Sequence, residues 1–366
     1  MLRYGLALAA SVLALIGCGK NDIDSAVCEA VGDAKPVCGF HQPEDFALLP
    51  DGKTLVVAEL GSMFTYARGY LALFNTETEQ LKRFELFDQP ASEVWVDIDC
   101  PGPPGDVFSP HGIHYSQRAD GDGQLLVINH GERESVEFFE VVSQQGEYDI
   151  EWRGCVSLPE NDFANSVVAT PEGGFIYSHM FNRDALRFGT TSWPSLKAVL
   201  GIPSGHAVEW KGLSVADGRQ FETVPGTEAG FPNGVELSAD GRYLFMNTSV
   251  DGYVHKVDRV AGERVASSEK IPHLDNIRWD QSGRLLAASM PTGLFESVRC
   301  LEIAPNNCGG TYNIVRLDPE TLAHEVIYSH EGGQPMGAAT VGFQVDKHLY
   351  IGSYSGNRLV KTPYKP

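Results

Sequence analysis

The chain has 366 residues, 42% hydrophobic and 21% charged, so a large core is available to it. Its net charge is −20, from 28 Lys+Arg against 48 Asp+Glu, and it carries no basic run of the kind that marks a phosphate-backbone footprint. This argues against nucleic acid as a partner and suits either a soluble acidic surface or oxygen-rich cation sites.

The first element is a targeting segment, "MLRYGLALAASVLALIGCGK". Arg3 supplies a short positive region, and Leu6 to Ile16 form an apolar stretch too short to span a bilayer. Leu15-Ile16-Gly17-Cys18 resembles the lipobox of bacterial lipoproteins. That resemblance implies removal of residues 1–17, lipidation of Cys18 and a membrane anchor, and Gly19 directs such lipoproteins to the outer membrane. Residues 18–27 are polar and poor in large apolar groups, so they read as a tether; residues 28–366 read as one folded domain. No later stretch has the length and apolarity of a transmembrane helix.

Cys28, Cys38, Cys100, Cys155, Cys300 and Cys308 remain, an even number in a chain expected to be exported and oxidised. Short loops favour Cys28–Cys38 and Cys300–Cys308, which leaves Cys100–Cys155. No C-x-x-C or H-x-x-x-H spacing is present, which argues against zinc.

Along the chain a turn-plus-strand unit recurs six times: "LLPDGKTLVVAE", "DGQLLVIN", "TPEGGFIYSH", "SADGRYLFMN", "DQSGRLLAAS" and "QVDKHLYIGS". Each is a polar turn, usually with Gly, feeding a short apolar strand, and a second strand follows each. Six β-units predict an all-β fold, a six-bladed β-propeller with a central channel; a β-sandwich would not explain the repetition. The chain stops after this second strand in its sixth unit, so an outer strand for that blade is expected from residues 25–42.

Counting back from the turn glycines finds polar residues at the start of the innermost strands. Glu44, Asn233 and Asp275 each precede a turn glycine by eight residues, and His111 and Asn161 precede theirs by twelve. The sixth unit offers only "MGAATVG". Glu44, Asn161, Asn233, Asp275 and Asn276 would then converge at one mouth of the channel. Five oxygen-bearing side chains, two of them carboxylates, suit Ca²⁺ better than metals that want nitrogen or sulfur. Asp45 and Asp162 follow Glu44 and Asn161 directly, and their charges lead to the expectation of a second, deeper Ca²⁺.

At these residues the chain resembles the paraoxonase/arylesterase family of calcium-dependent six-bladed lactonases and esterases. The likeness runs from about Glu44 to Lys361 and is carried by "EDFALLPDG", "SPHGIHY", "LLVINH", "SVEFFEV", "LPENDFA", "FPNGVELSADGRYLF" and "LDNIRWD". It implies a catalytic calcium on Glu44, Asn161, Asn233, Asp275 and Asn276. It implies a structural calcium on Asp45, Asp162 and the Ile113 carbonyl, and a catalytic histidine dyad at His111 and His130. No Cys follows Cys308, so closure of the last blade differs from that of the family's vertebrate members.

The implied chemistry is hydrolysis of a small lactone or aryl ester, with water activated by the histidine pair. Two alternatives stand beside it, a gluconolactonase-type hydrolase of sugar lactones and a non-catalytic, surface-anchored binding propeller. No G-x-S-x-G elbow or H-E-x-x-H helix is present to support a serine or zinc hydrolase. The loop "LGSMFTYARGY" is longer than most of its counterparts and is expected at the metal's mouth, where Met63, Phe64 and Tyr66 would form an apolar substrate wall.

Overall fold

The computed structural model describes residues 22–61, 68–84, 87–188, 197, 200–213, 221–291 and 308–365. Cys18 and the segment expected to be a leader lie outside them. Among the described residues no helix is long and apolar enough to cross a membrane.

The described chain folds into six small antiparallel sheets, the blades of a propeller. The innermost strands are Pro43–Leu48, Pro110–Gln117, Ala164–Ala169, Pro232–Leu237, Leu274–Trp279 and Ala339–Val345. Each lies beside the next, and the sixth returns to the first, which closes a ring around the channel.

Apolar clusters fill every gap between blades. Val56, Leu71, Leu125 and Phe139 pack between the first and second, and Phe175, Trp210 and Val136 between the second and third. Phe40, Phe46, Leu55 and Tyr350 pack between the sixth and first. Both faces of each sheet are covered, so the second strands, such as Thr54–Glu59, Tyr243–Thr248 and Leu285–Ser289, read in sequence as largely apolar runs rather than alternating ones. Gly52, Gly173, Gly241 and Gly283 turn the first strand of their blades into the second at φ between 69° and 87°, a conformation that disfavours any side chain.

The second blade carries a fifth strand, Val96–Ile98, parallel to Glu147–Ser157 and pinned by the Cys100–Cys155 disulfide. Its three residues give no sequence signature. Cys28–Cys38 forms as expected. Cys308 is buried and disulfide-bonded, while Cys300 lies outside the described residues.

The sixth blade takes its outer strand from the N-terminal segment, as the repeat count requires: Lys35–Cys38 pairs antiparallel with Arg358–Pro363. Arg358 fastens this closure. It is 1% exposed, and its guanidinium donates to the backbone carbonyls of Ser25 (2.8 Å) and Val27. Removing it leaves those carbonyls without a charged donor, and such bonds are worth about 1.5–3 kcal/mol each. Arg358→Ala is expected to lower unfolding free energy by about 3 kcal/mol, read as a reduced urea midpoint. A loss below about 1 kcal/mol would show that strand pairing and the disulfide close the ring without it.

Candidate active site

In all six blades the ladder between the first and second strands breaks at the same level. The breaks fall between Pro43 and Asp45, Pro110 and Ile113, and Ala164 and Val167. They recur between Pro232 and Val235, Leu274 and Ile277, and Ala339 and Val341. A bulge frees residues from the ladder and re-aims their side chains. The freed residues are Glu44, His111-Gly112, Asn165-Ser166, Asn233-Gly234, Asp275-Asn276 and Thr340, and every polar one of them is buried. Gly112 and Gly234 let neighbouring inner strands touch: a Cβ on Gly112 would stand 2.4 Å from the Asn165 carbonyl oxygen, and one on Gly234 would stand 2.8 Å from that of Asp275.

Side chains at the ends of the second strands hold this geometry. Asn129 Oδ1 accepts the Ser109 N–H at 3.0 Å, and Asn247 Oδ1 accepts that of Gly234 at 2.8 Å while its amide donates to the Asp275 carbonyl. Ser289 and Ser353 donate their hydroxyls to the carbonyls of Pro272 and Gly337.

At the centre, Glu44 Oε1 accepts a 2.7 Å bond from Asn276 Nδ2, and the Thr340 hydroxyl donates to the Glu44 carbonyl at 2.6 Å. The Asn233 amide donates to Ser249 Oγ at 3.0 Å. Each of these side-chain amides spends its nitrogen and leaves its oxygen over. Glu44 Oε2, Asn165 Oδ1, Asn233 Oδ1 and Asn276 Oδ1 are buried with no hydrogen-bond partner among the described residues. Burial, reinforced by the Glu44 carboxylate, pushes the Asp275 carboxyl well above the usual range.

An unpartnered buried acceptor costs about 1–3 kcal/mol, so four at one place call for a shared partner. Two carboxylates and three amide oxygens form a hard, all-oxygen donor set, which fits Ca²⁺ and not a nitrogen- or sulfur-seeking metal. Among the described residues no three His, Cys, Asp or Glu side chains gather as a metal group, because most donors here are amides.

The third blade's contribution differs from the sequence expectation. Asn161 sits in the turn ahead of Ala164, with φ 72° and its carbonyl taken by the Arg183 N–H. Asn165 is the amide inside the bulge, and its Nδ2 lies 3.5 Å from His111 Nε2. Asp162 likewise is engaged by its own blade: it accepts the Tyr177 hydroxyl and lies 3.4 Å from His179 Nδ1.

One step further along the inner strands, Asp45 Oδ2 accepts the Ile113 N–H at 2.8 Å and a bond from Arg278 Nη2. The same nitrogen donates to the Ile113 carbonyl at 3.0 Å, and Arg278 Nη1 stands 4.0 Å from Glu236 Oε2. Burial raises the Asp45 pKa to about 6, although Arg278 pulls it down, and raises that of Glu236 to about 7. The expected deeper calcium does not fit here. Its carboxylate and its carbonyl already hold a cation, and two cations on one buried carboxylate repel by several kcal/mol.

His111 and His130 are brought together as expected, and a third group extends the pair. His111 Nδ1 lies 2.8 Å from His130 Nε2, and His130 Nδ1 lies 2.9 and 3.0 Å from the two oxygens of Glu134. Arg183 Nη1 stands 3.4 Å from Glu134 Oε1. The order of donors assigns the protons. Glu134 accepts from His130 Nδ1–H, so His130 Nε2 is an acceptor and takes the His111 Nδ1–H. His111 Nε2 is left with a lone pair, 3.6 Å from Glu44 Oε1.

Burial pulls the His111 pKa down, but Glu44, Asp275 and Asp45 outweigh it and the net shift is upward. Burial lowers that of His130 despite Glu134. Phe163 stacks on His130 at 4.7 Å and belongs to a buried apolar cluster with Met180, Phe181 and Phe231 beside the pair.

Met63, Phe64 and Tyr66 lie outside the described residues. Their flanks are at this mouth: Glu59 pairs with Pro43, and Gly69 packs against Pro110.

The fold is shared with solved propellers at low identity. A gluconolactonase from Xanthomonas campestris is 15% identical, with a TM-score of 0.50 over 95% of this chain and 96% of its own. A luciferin-regenerating enzyme is 11% identical, with a TM-score of 0.51 over 89% and 92%. No curated protein sequence matches the chain. The arylesterase family model matches residues 39–360, almost the whole propeller, and the chain therefore belongs to the arylesterase family.

Proposed function

We propose that this arylesterase-family chain hydrolyses lactones and aryl esters at the channel mouth, with Ca²⁺ held by Glu44, Asn165, Asn233, Asp275 and Asn276. The observation that carries this reading is the juxtaposition of two devices. A histidine lone pair, fixed by a carboxylate two groups away, faces the same buried point as four acceptor oxygens that lack donors. A purely binding propeller has no need of the first device.

Bound there, Ca²⁺ supplies a Lewis acid for the substrate's carbonyl oxygen. The chain's own residues do the rest. His111 Nε2 orients a water and takes its proton as the water oxygen attacks the carbonyl carbon. His130 holds His111 in the tautomer that leaves Nε2 free, and Glu134 holds His130 in turn. The positive charge that develops on His111 is spread toward Glu134 through two short hydrogen bonds. When the carbon–oxygen bond to the leaving group breaks, His111 returns the proton to that oxygen. The Phe163 cluster keeps bulk water from the far side of the pair.

Turnover of a simple aryl ester and a simple lactone tests the proposal. Activity is expected with Ca²⁺, loss in excess chelator and recovery on re-addition. Chelation is also expected to lower the melting temperature, since an ion at 100 times its Kd adds about 2.7 kcal/mol. Full activity in excess chelator would overturn the calcium reading.

A further inference from the structure

The floor of the channel is built around a side-chain cation. Asp45 is fully buried, fixed by the backbone N–H groups of Phe46 and Ile113 at 2.8 Å each, and its Oδ2 also accepts from Arg278. The same guanidinium satisfies two carbonyls, Ile113 at 3.0 Å and Ile277 at 2.7 Å, and faces Glu236 from 4.0 Å. Arg278 is itself only 4% exposed. Four inner strands, those of the first, second, fourth and fifth blades, are thereby tied to one planar group. A guanidinium is well suited to such a tie, because its charge is permanent at any working pH and its fork offers several donors at fixed angles.

We infer that Arg278 is a resident cation standing where a second metal ion would otherwise hold the channel floor, so that the enzyme takes one Ca²⁺ per chain. This rests on the mouth site being the calcium site proposed above. The third blade agrees with it. The residue after Asn165 is Ser166, a neutral hydroxyl, and Asp162 is engaged by Tyr177 elsewhere. The floor thus lacks the second carboxylate that strand order would have to supply from that blade. What remains there is Asp45, bonded by Arg278, with Glu236 4.0 Å from the same guanidinium.

The inference gives the arginine a replaceable role. Removing it leaves Asp45, the carbonyls of Ile113 and Ile277, and Glu236 around a hole. On the side away from His111 lies a cavity of 180 Å³ lined by His114, Glu236, Arg278 and Phe343, a route by which an ion can enter. Arg278→Ser should therefore convert the floor into a second, weaker cation site.

Tightly bound calcium is counted by elemental analysis after equilibrium dialysis, for the wild type, Arg278→Ser and the near-isosteric Arg278→Met. One ion is expected in the wild type, and one more in Arg278→Ser than in the wild type at millimolar Ca²⁺. Arg278→Met, which fills the hole, should gain none. The melting temperature of Arg278→Ser should rise with added Ca²⁺ beyond the rise seen in the wild type. Two ions in the wild type would overturn the inference, whether or not the variants fold, and so would a folded Arg278→Ser with no added ion. No ion in the wild type but one in Arg278→Ser would sink the mouth site while supporting the floor.

Discussion

His111→Ala is expected to lower kcat/KM for an aryl ester by about 10²- to 10⁴-fold, the range a positioned general base contributes. The same change should leave Ca²⁺ affinity within about twofold, because His111 offers nitrogen to a site whose donors are oxygens. His130→Ala should lose nearly as much, since it frees the tautomer that His111 must adopt. Glu134 separates orientation from charge. Glu134→Gln keeps an oxygen that can accept from His130 Nδ1 and should cost about tenfold, whereas Glu134→Ala removes the anchor and should approach the loss of His130→Ala. The three losses should not add, because the residues act as one chain from the carboxylate to the lone pair. Equal, small losses in all variants would mean that Glu44 or Asp275, and not His111, takes the proton.

The propeller is legible because its period is written in polarity: each blade announces itself by a polar turn, in most units with a glycine, that feeds an apolar strand. The site is legible in part, for the same reason. Glu44, Asn233 and Asp275 share an eight-residue distance to their turn glycines. The third blade follows that rule too, with Asn165 eight residues before Gly173, whereas Asn161 matches only the longer spacing of His111. Half of the excess in that longer spacing comes from the second blade's inner strand, which runs eight residues where those of the first, third, fourth and fifth run six, and half from counting to Gly123, which opens the second strand, instead of the turn's Gly121.

Glu134 leaves a weaker trace. It lies four residues after His130 in a loop, where nothing in composition separates a relay carboxylate from a solvated one. Arg278 leaves none, because its partner Asp45 is 233 residues away and only the ring brings them together. A lone Arg on an apolar strand signals burial with some partner; which partner is a property of the closed fold.

Asn165→Ala and Asn161→Gly decide which amide of the third blade belongs to the metal. Asn165 lies within the bulge, is 3% exposed, and carries an unpartnered buried oxygen. Its loss takes one of five oxygen donors from the ion and the amide that stands against His111 Nε2. Ca²⁺ affinity is expected to fall by at least about tenfold, since even groups that only orient metal ligands are worth about 10- to 100-fold. Activity at saturating Ca²⁺ should fall as well, because the histidine loses a neighbour that fixes its ring. Asn161 is the control with the opposite logic. Its left-handed backbone, φ 72°, is one that Asn tolerates and Ala does not, so Asn161→Ala would confuse strain with ligation. Asn161→Gly removes the side-chain oxygen and keeps the turn. It should hold Ca²⁺ affinity and kcat/KM within about twofold of the wild type, a margin below half a kcal/mol. Calcium titration followed by melting temperature reads both variants. Loss of binding in Asn161→Gly with retention in Asn165→Ala would return the ligand to the turn and break the correspondence between bulges and donors.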